Sequence, residues 1–232
     1  MRRRALFSRL AAFVVMAFAF TQGAVAQTHY SSNVSIGAKG GVDFSRIFFS
    51  PGVEQKMPMG ATAGLMFRYI EEDHFGLIVE LNYLSRGWEE NFEDAPYHYK
   101  RMISYLELPV LAHIYFGRRG RFFFNAGPEI SYYLGQSVSA NFNPADMASL
   151  PDFPNTNRMN TQMTIPVQNK LDYGISAGLG AEFNINGRNS VCVEARFYYG
   201  LGNIFKARRI DPFKASNSMT IMATLGYWFR VK

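Results

Sequence analysis

Residues 171–185 read LDYGISAGLGAEFNI. Every second residue from Leu171 gives Leu, Tyr, Ile, Ala, Leu, Ala and Phe, while the residues between are Asp, Gly, Ser, Gly, Gly and Glu. A period of two belongs to a β-strand with one apolar face and one polar or small face. A soluble sandwich shows the same alternation, so the pattern alone leaves open whether the apolar face meets a protein core or lipid.

The amino terminus bears on that choice. Arg2, Arg3, Arg4 and Arg9 precede an apolar run from Leu10 to Phe20, and Ala24 and Ala26 stand at A-x-A spacing before Gln27. These are the basic, apolar and small-residue parts of a secretory signal peptide, expected over 1–26 with cleavage after Ala26. The apolar run is shorter than the roughly 20 residues a membrane-spanning helix takes, and no stretch after Gln27 approaches that length. Gln27 stands where a lipoprotein carries its cysteine, so no lipid anchor is expected.

Export also changes the charge reading. The chain has 24 basic and 18 acidic residues, and removing the four arginines of 1–26 leaves 20 against 18, a net of +2. So small an excess, with no clustered basic face, excludes nucleic acid as the expected partner. Cys192 is the one cysteine, so no intramolecular disulfide forms. The 21 Phe and 13 Tyr favour strands over helices.

Seven further segments repeat the alternation. Strands are expected over 33–45, 59–70, 75–87, 99–117, 121–136, 169–184, 190–203 and 217–230, with no sustained helical period after residue 27. Their connections alternate between short turns (EEDH 71–74, GRRG 117–120, NINGRN 184–189) and longer loops at 46–58, 88–98, 137–168 and 204–216. Short turns on one side and long loops on the other is the plan of an all-β, eight-stranded antiparallel transmembrane barrel of the bacterial outer membrane, here a single domain over 27–232.

Charge placement decides between core and lipid. The apolar parity of 34–44, 61–69, 75–83, 106–116, 122–134, 171–183, 191–201 and 219–229 comprises 48 positions, and none is charged. In a chain that is 18% charged, about nine charges would fall there by chance. The other parity carries Lys39, Asp43, Arg68, Glu80, Glu107, Glu129, Asp172, Glu182, Glu194 and Arg196. Apolar outside and charged inside fits a barrel in lipid. Tyr69, Phe75, Phe116, Phe122, Phe183, Tyr227 and Phe229 share the outward parity near the short turns, where a periplasmic aromatic girdle is expected. Tyr83 and Tyr132, with Trp88, are candidates for an outer girdle.

The stretches SYLELPVLAHIYFG (104–117), FFFNAGPEISYYLG (122–135), LDYGISAGLGAEF (171–183), EARFYYGLGNI (194–204) and TLGYWF (224–229) resemble the outer-membrane β-barrel domain family, whose members are also labelled porin-family or PorT-like. The resemblance covers nearly the whole chain after the leader. It implies an eight-stranded barrel in the outer membrane, in a family most of whose members have no assigned activity; for the PorT-like branch it implies a part in protein secretion across the outer membrane.

Candidate chemistry is sparse. GISAGLG (174–180) resembles a glycine-rich phosphate loop, but no helix follows to present its amides. His29, His74, His98 and His113 fall in the tail, a turn, a loop and the lumen, and converge on no metal. Glu93, Asp94 and His98 in the second loop are the best local set for an outer-membrane hydrolase, though a solvated polar loop has the same composition. No catalytic, metal or cofactor residue is expected. The lumen charges Glu80, Glu107, Glu129, Glu194 and Arg196 could line a solute path or pair and plug the interior. Eight strands leave a bore that side chains just fill, which favours the plug. Arg196 is expected to anchor the carboxylates near mid-height. Loop 137–168 is expected either to be disordered or to contact an extracellular or envelope protein partner. Outer-membrane lipid is the other expected partner, and the sequence leaves the oligomeric state open. The functional expectation is a non-enzymatic barrel acting through its loops in adhesion, structure or envelope assembly, with small-solute transport or secretion as the alternative.

Overall fold

The computed structural model describes residues 33–93, 95–154 and 159–231. The leader 1–26, His29 and Asp94 lie outside the described residues. Nine antiparallel strands form one sheet: β1 (Asn33–Ser50), β2 (Gln55–Lys56), β3 (Met59–Glu72), β4 (Phe75–Glu90), β5 (Tyr99–Gly117), β6 (Gly120–Ala140), β7 (Leu171–Asn184), β8 (Asn189–Gly200) and β9 (Ala215–Arg230). β2 is a two-residue pairing with the top of β4. The eight long strands close into a ring, because β1 pairs with both β3 and β9 while β4 pairs with β5. The fold is an all-β, eight-stranded antiparallel barrel.

Several strands run further than their apolar pattern. β1 continues to Ser50 because residues 46–50 pair with 215–219 of β9, and β6 continues to Ala140 against the start of β5. The backbone ladder holds these upper ends, where side-chain alternation has faded. The loops therefore narrow to 51–58, 91–98, 141–170 and 201–214, opposite the short turns after β3, β5 and β7.

A closed ring leaves no second sheet to cover its outer face. Leu65, Phe122, Leu179 and Leu225 are 66%, 74%, 65% and 63% exposed, so the apolar parity of the sequence is not the inside of a sandwich. The lumen parity is buried: Glu80, Arg86, Glu107 and Arg196 are each no more than 3% exposed.

The glycines of 174–180 make the bore wide enough for its contents. Gly180 pairs with Phe123 on β6, and a Cβ on Gly180 would stand 2.2 Å from the Phe123 ring and 2.4 Å from the Val193 carbonyl. Gly174 gives the same room to the Tyr198 ring. Gly180→Val is expected to lower barrel stability by about 1–3 kcal/mol through overpacking. Urea unfolding of the refolded protein checks this, and an unchanged midpoint would mean that Phe123 moves aside at no cost.

Candidate functional site

The lumen charges are arranged in three tiers, each built from strands that pair as neighbours or face one another across the bore. In the lowest tier, both terminal nitrogens of Arg68 on β3 donate to Glu182 on β7, the second at 3.1 Å. Ser190 donates to the same carboxylate at 2.6 Å. The Arg68 guanidinium stacks 4.4 Å from the Trp228 ring, and the space left among these groups is about 10 Å³, the room of one water at most.

The middle tier centres on Arg196. Its Nη1 and Nη2 donate to the two oxygens of Glu80 at 2.7 and 2.8 Å, and Nη2 donates to Glu194 at 2.8 Å. Lys39 Nζ donates to Glu80 at 2.6 Å and Asn82 to the same oxygen at 2.9 Å. Asn125 joins Glu194 to the His113 ring. Two cations thus face two carboxylates, with amides satisfying further lone pairs; buried charges need such partners to be tolerated.

The upper tier centres on Arg86. Nη1 donates to Glu107 at 2.8 Å, and Nη2 donates to Asp172 at 2.9 Å and Ser131 at 3.1 Å. Glu129 stands 3.8 Å from Nη1 and accepts from Ser176 at 2.5 Å. The guanidinium lies between the rings of Tyr105 and Tyr198, 4.4 Å from each centroid. A planar fork held between two aromatic faces thus carries the link from β4 across to β7, a geometry that a lysine cannot reproduce.

The expectation placed one arginine among all the lumen carboxylates, and the structure divides them between two. Glu80 and Glu194 meet Arg196, whereas Glu107 and Glu129 stand against Arg86. Arg86 lies outside the sequence-derived set because the apolar alternation of its strand ends at Tyr83, with Ser85 and Gly87 following on the outward parity. Its even parity, shared with Glu80, was the available signal.

Loops close the mouth above these tiers. Arg101 donates to the carbonyls of Met163 and Ile165 at 2.8 and 2.7 Å, and the Tyr99 hydroxyl donates to Met163 at 3.1 Å. Gln162 donates to Glu90, which also accepts from the Trp88 indole N–H at 3.0 Å. Trp88, Phe49, Phe205 and Phe213 pack into one buried aromatic cluster. Phe92, Tyr97, Phe142 and Phe153 form a second group beside it. Trp88 therefore belongs inside the mouth, not to an outer girdle: the odd parity of β4 points outward and 88 is even. The described parts of 137–168 are packed over the opening, and Gln162 and Met163 are buried.

The remaining expected residues stay apart. Glu93 and His98 are exposed and share no hydrogen bond among the described residues; His98 lies 4.0 Å from Glu89 instead. No group of three or more His, Cys, Asp or Glu side chains able to hold a metal occurs among the described residues. Phe75, Phe116, Phe122, Phe183, Tyr227 and Phe229 are exposed on the outer face, and Tyr69 is partly so.

Three solved barrels resemble the chain. The Neisserial surface protein A structure shares 11% identity at a TM-score of 0.48, covering 86% of this chain and 99% of its own. Ail of Yersinia pestis shares 14% at 0.39, covering 85% and 97%. A major outer membrane protein of Thermus thermophilus shares 11% at 0.41, covering 87% and 100%. No curated protein matches the sequence. The family model described as outer membrane protein beta-barrel domain matches residues 25–206, most of the chain. The protein belongs to this outer-membrane β-barrel family, which places it in the bacterial outer membrane.

Proposed function

We propose that the chain is exported, cleaved after Ala26, and serves as a non-enzymatic outer-membrane barrel with a plugged polar lumen. It acts through its extracellular loops as a structural, adhesive or envelope-assembly component. The girdle of Tyr69, Phe75, Phe116, Phe122, Phe183, Tyr227 and Phe229 sits at the periplasmic interface in this reading, and loop 141–170, whose described parts pack over the mouth, is the surface offered to a protein partner. The observation that supports it is the bore itself: three stacked ion-pair tiers cross it, and Arg101, Tyr99 and Trp88 hold loop residues over its mouth.

The test is single-channel recording of the refolded protein in planar bilayers. Silence at moderate voltage is expected, because opening the bore requires separating buried ion pairs. Stable, ohmic conducting steps would overturn the plugged lumen and move the reading to solute transport.

A further inference from the structure

The three tiers differ in charge balance. Arg68 meets one carboxylate in the lowest and Lys39 and Arg196 meet two in the middle, but in the upper tier Arg86 alone faces Glu107, Glu129 and Asp172. Asp43 on β1 adds a fourth acid within the field of Arg86: it is 0% exposed, and neither of its oxygens has a hydrogen-bond partner among the described residues.

Glu107 and Glu129 crowd one nitrogen. Arg86 Nη1 stands 2.8 Å from Glu107 Oε1 and 3.8 Å from Glu129 Oε1, and the two carboxyl groups are within hydrogen-bonding reach of each other. Glu107 Oε2 and Glu129 Oε1 are buried and accept from no donor among the described residues. Two ionised carboxylates are acceptors only and repel at such a contact, whereas an acid and a carboxylate bond through the O–H of the acid. Tyr105 and Tyr198, whose rings clasp the guanidinium, are buried too, and their unpartnered hydroxyls lie in the field of Glu107 and Asp172. The other cations near the pair are committed elsewhere: Lys39 and Arg196 to Glu80, and Arg101 above to loop carbonyls. Arg68 of β3 belongs to the lowest tier, and the buried side chains of β9 carry no charge.

We propose that the upper tier is a proton-binding site, in which Glu107 and Glu129 hold one proton between them at neutral pH and that proton keeps the upper bore shut. The site rests on the plugged-lumen reading, because water filling the bore would let both acids ionise. The folded chain then carries a proton that the unfolded chain gives up, so stability falls as the pH rises to the point where the pair releases it.

Infrared spectroscopy of the full protein refolded into vesicles tests it. A protonated-carboxyl C=O band is expected at neutral pH and should fade as the pH is raised. Glu107→Gln and Glu129→Gln are each expected to abolish it, because the acid that remains meets an amide donor and keeps Arg86 as its counter-ion. Asp43→Asn is expected to leave it in place. Urea unfolding gives a second reading: the midpoint of the parent should fall from neutral to mildly alkaline pH, and that of Glu129→Gln should fall less. A band that survives both glutamine variants, or no band in the folded parent at neutral pH, would overturn the site. In the latter case single-channel recording separates the two readings: a silent barrel overturns the proton site alone, and a conducting one overturns the plugged lumen as well.

Discussion

Replacing Arg86 by alanine is expected to lower the unfolding free energy of the refolded barrel by about 3–5 kcal/mol. The side chain is 1% exposed and binds Glu107, Asp172 and Ser131 at 2.8–3.1 Å, with Glu129 at 3.8 Å. Its removal leaves three carboxylates in a confined bore without the cation that balances them, which is the costly way to break a buried ion pair. The loss of stacking on Tyr105 and Tyr198 adds to this. Arg86→Lys keeps the charge but not the fork, and is expected to recover only part of the loss. Adding Glu107→Gln and Asp172→Asn to the alanine variant is expected to recover part as well, because fewer charges are then left unpaired. Urea unfolding in lipid vesicles reads each variant. An unchanged midpoint for Arg86→Ala would mean that water fills the upper bore.

Trp88→Ala is expected to cost about 3–5 kcal/mol as well, by a different route: it empties the centre of the cap. The indole packs edge-on against Phe49 at 5.4 Å and Phe205 at 6.3 Å, lies 5.2 Å from the Arg101 guanidinium and donates to Glu90. Because Trp88 joins these strand ends to loop residues, Phe205 directly and Gln162 through Glu90, much of the loss should appear as local opening of the loops. External protease on whole cells is expected to cut within 141–170 markedly faster in this variant than in the parent, while the strands stay intact. Equal cutting rates would mean that the cap is held without Trp88. Cleavage at Arg118 and Arg119, with 141–170 protected, would place the loops on the periplasmic side.

The ring of strands was legible because its information is local and repeated. Forty-eight outward positions free of charge set parity, and parity sets register and facing, so the lumen positions of Glu80, Glu129 and Arg196 followed directly. What local alternation does not contain is which lumen groups meet across the bore. Glu80 finds Arg196 between strands that are not neighbours in the ring, and Arg86 reaches Asp172 on the far side. The fate of 141–170 was illegible for the same reason: Arg101 fixes Met163 and Ile165 from a distant strand, and a segment rich in proline and asparagine shows no period that would announce it.

The seam between β1 and β9 has a consequence for how the molecule is made. It pairs Ser35 with Arg230 and Ser50 with Ala215, so β1 and β9 are partners and the ladder cannot shut until β9 arrives. Contacts so distant in sequence carry a high loop-closure entropy and slow the search. Until they form, the sheet is an open ribbon with two bare edges, each able to recruit a strand from another chain. Assembly is therefore a race between zipping this pair and aggregation, and the β9 residues that complete the seam govern folding yield out of proportion to their number.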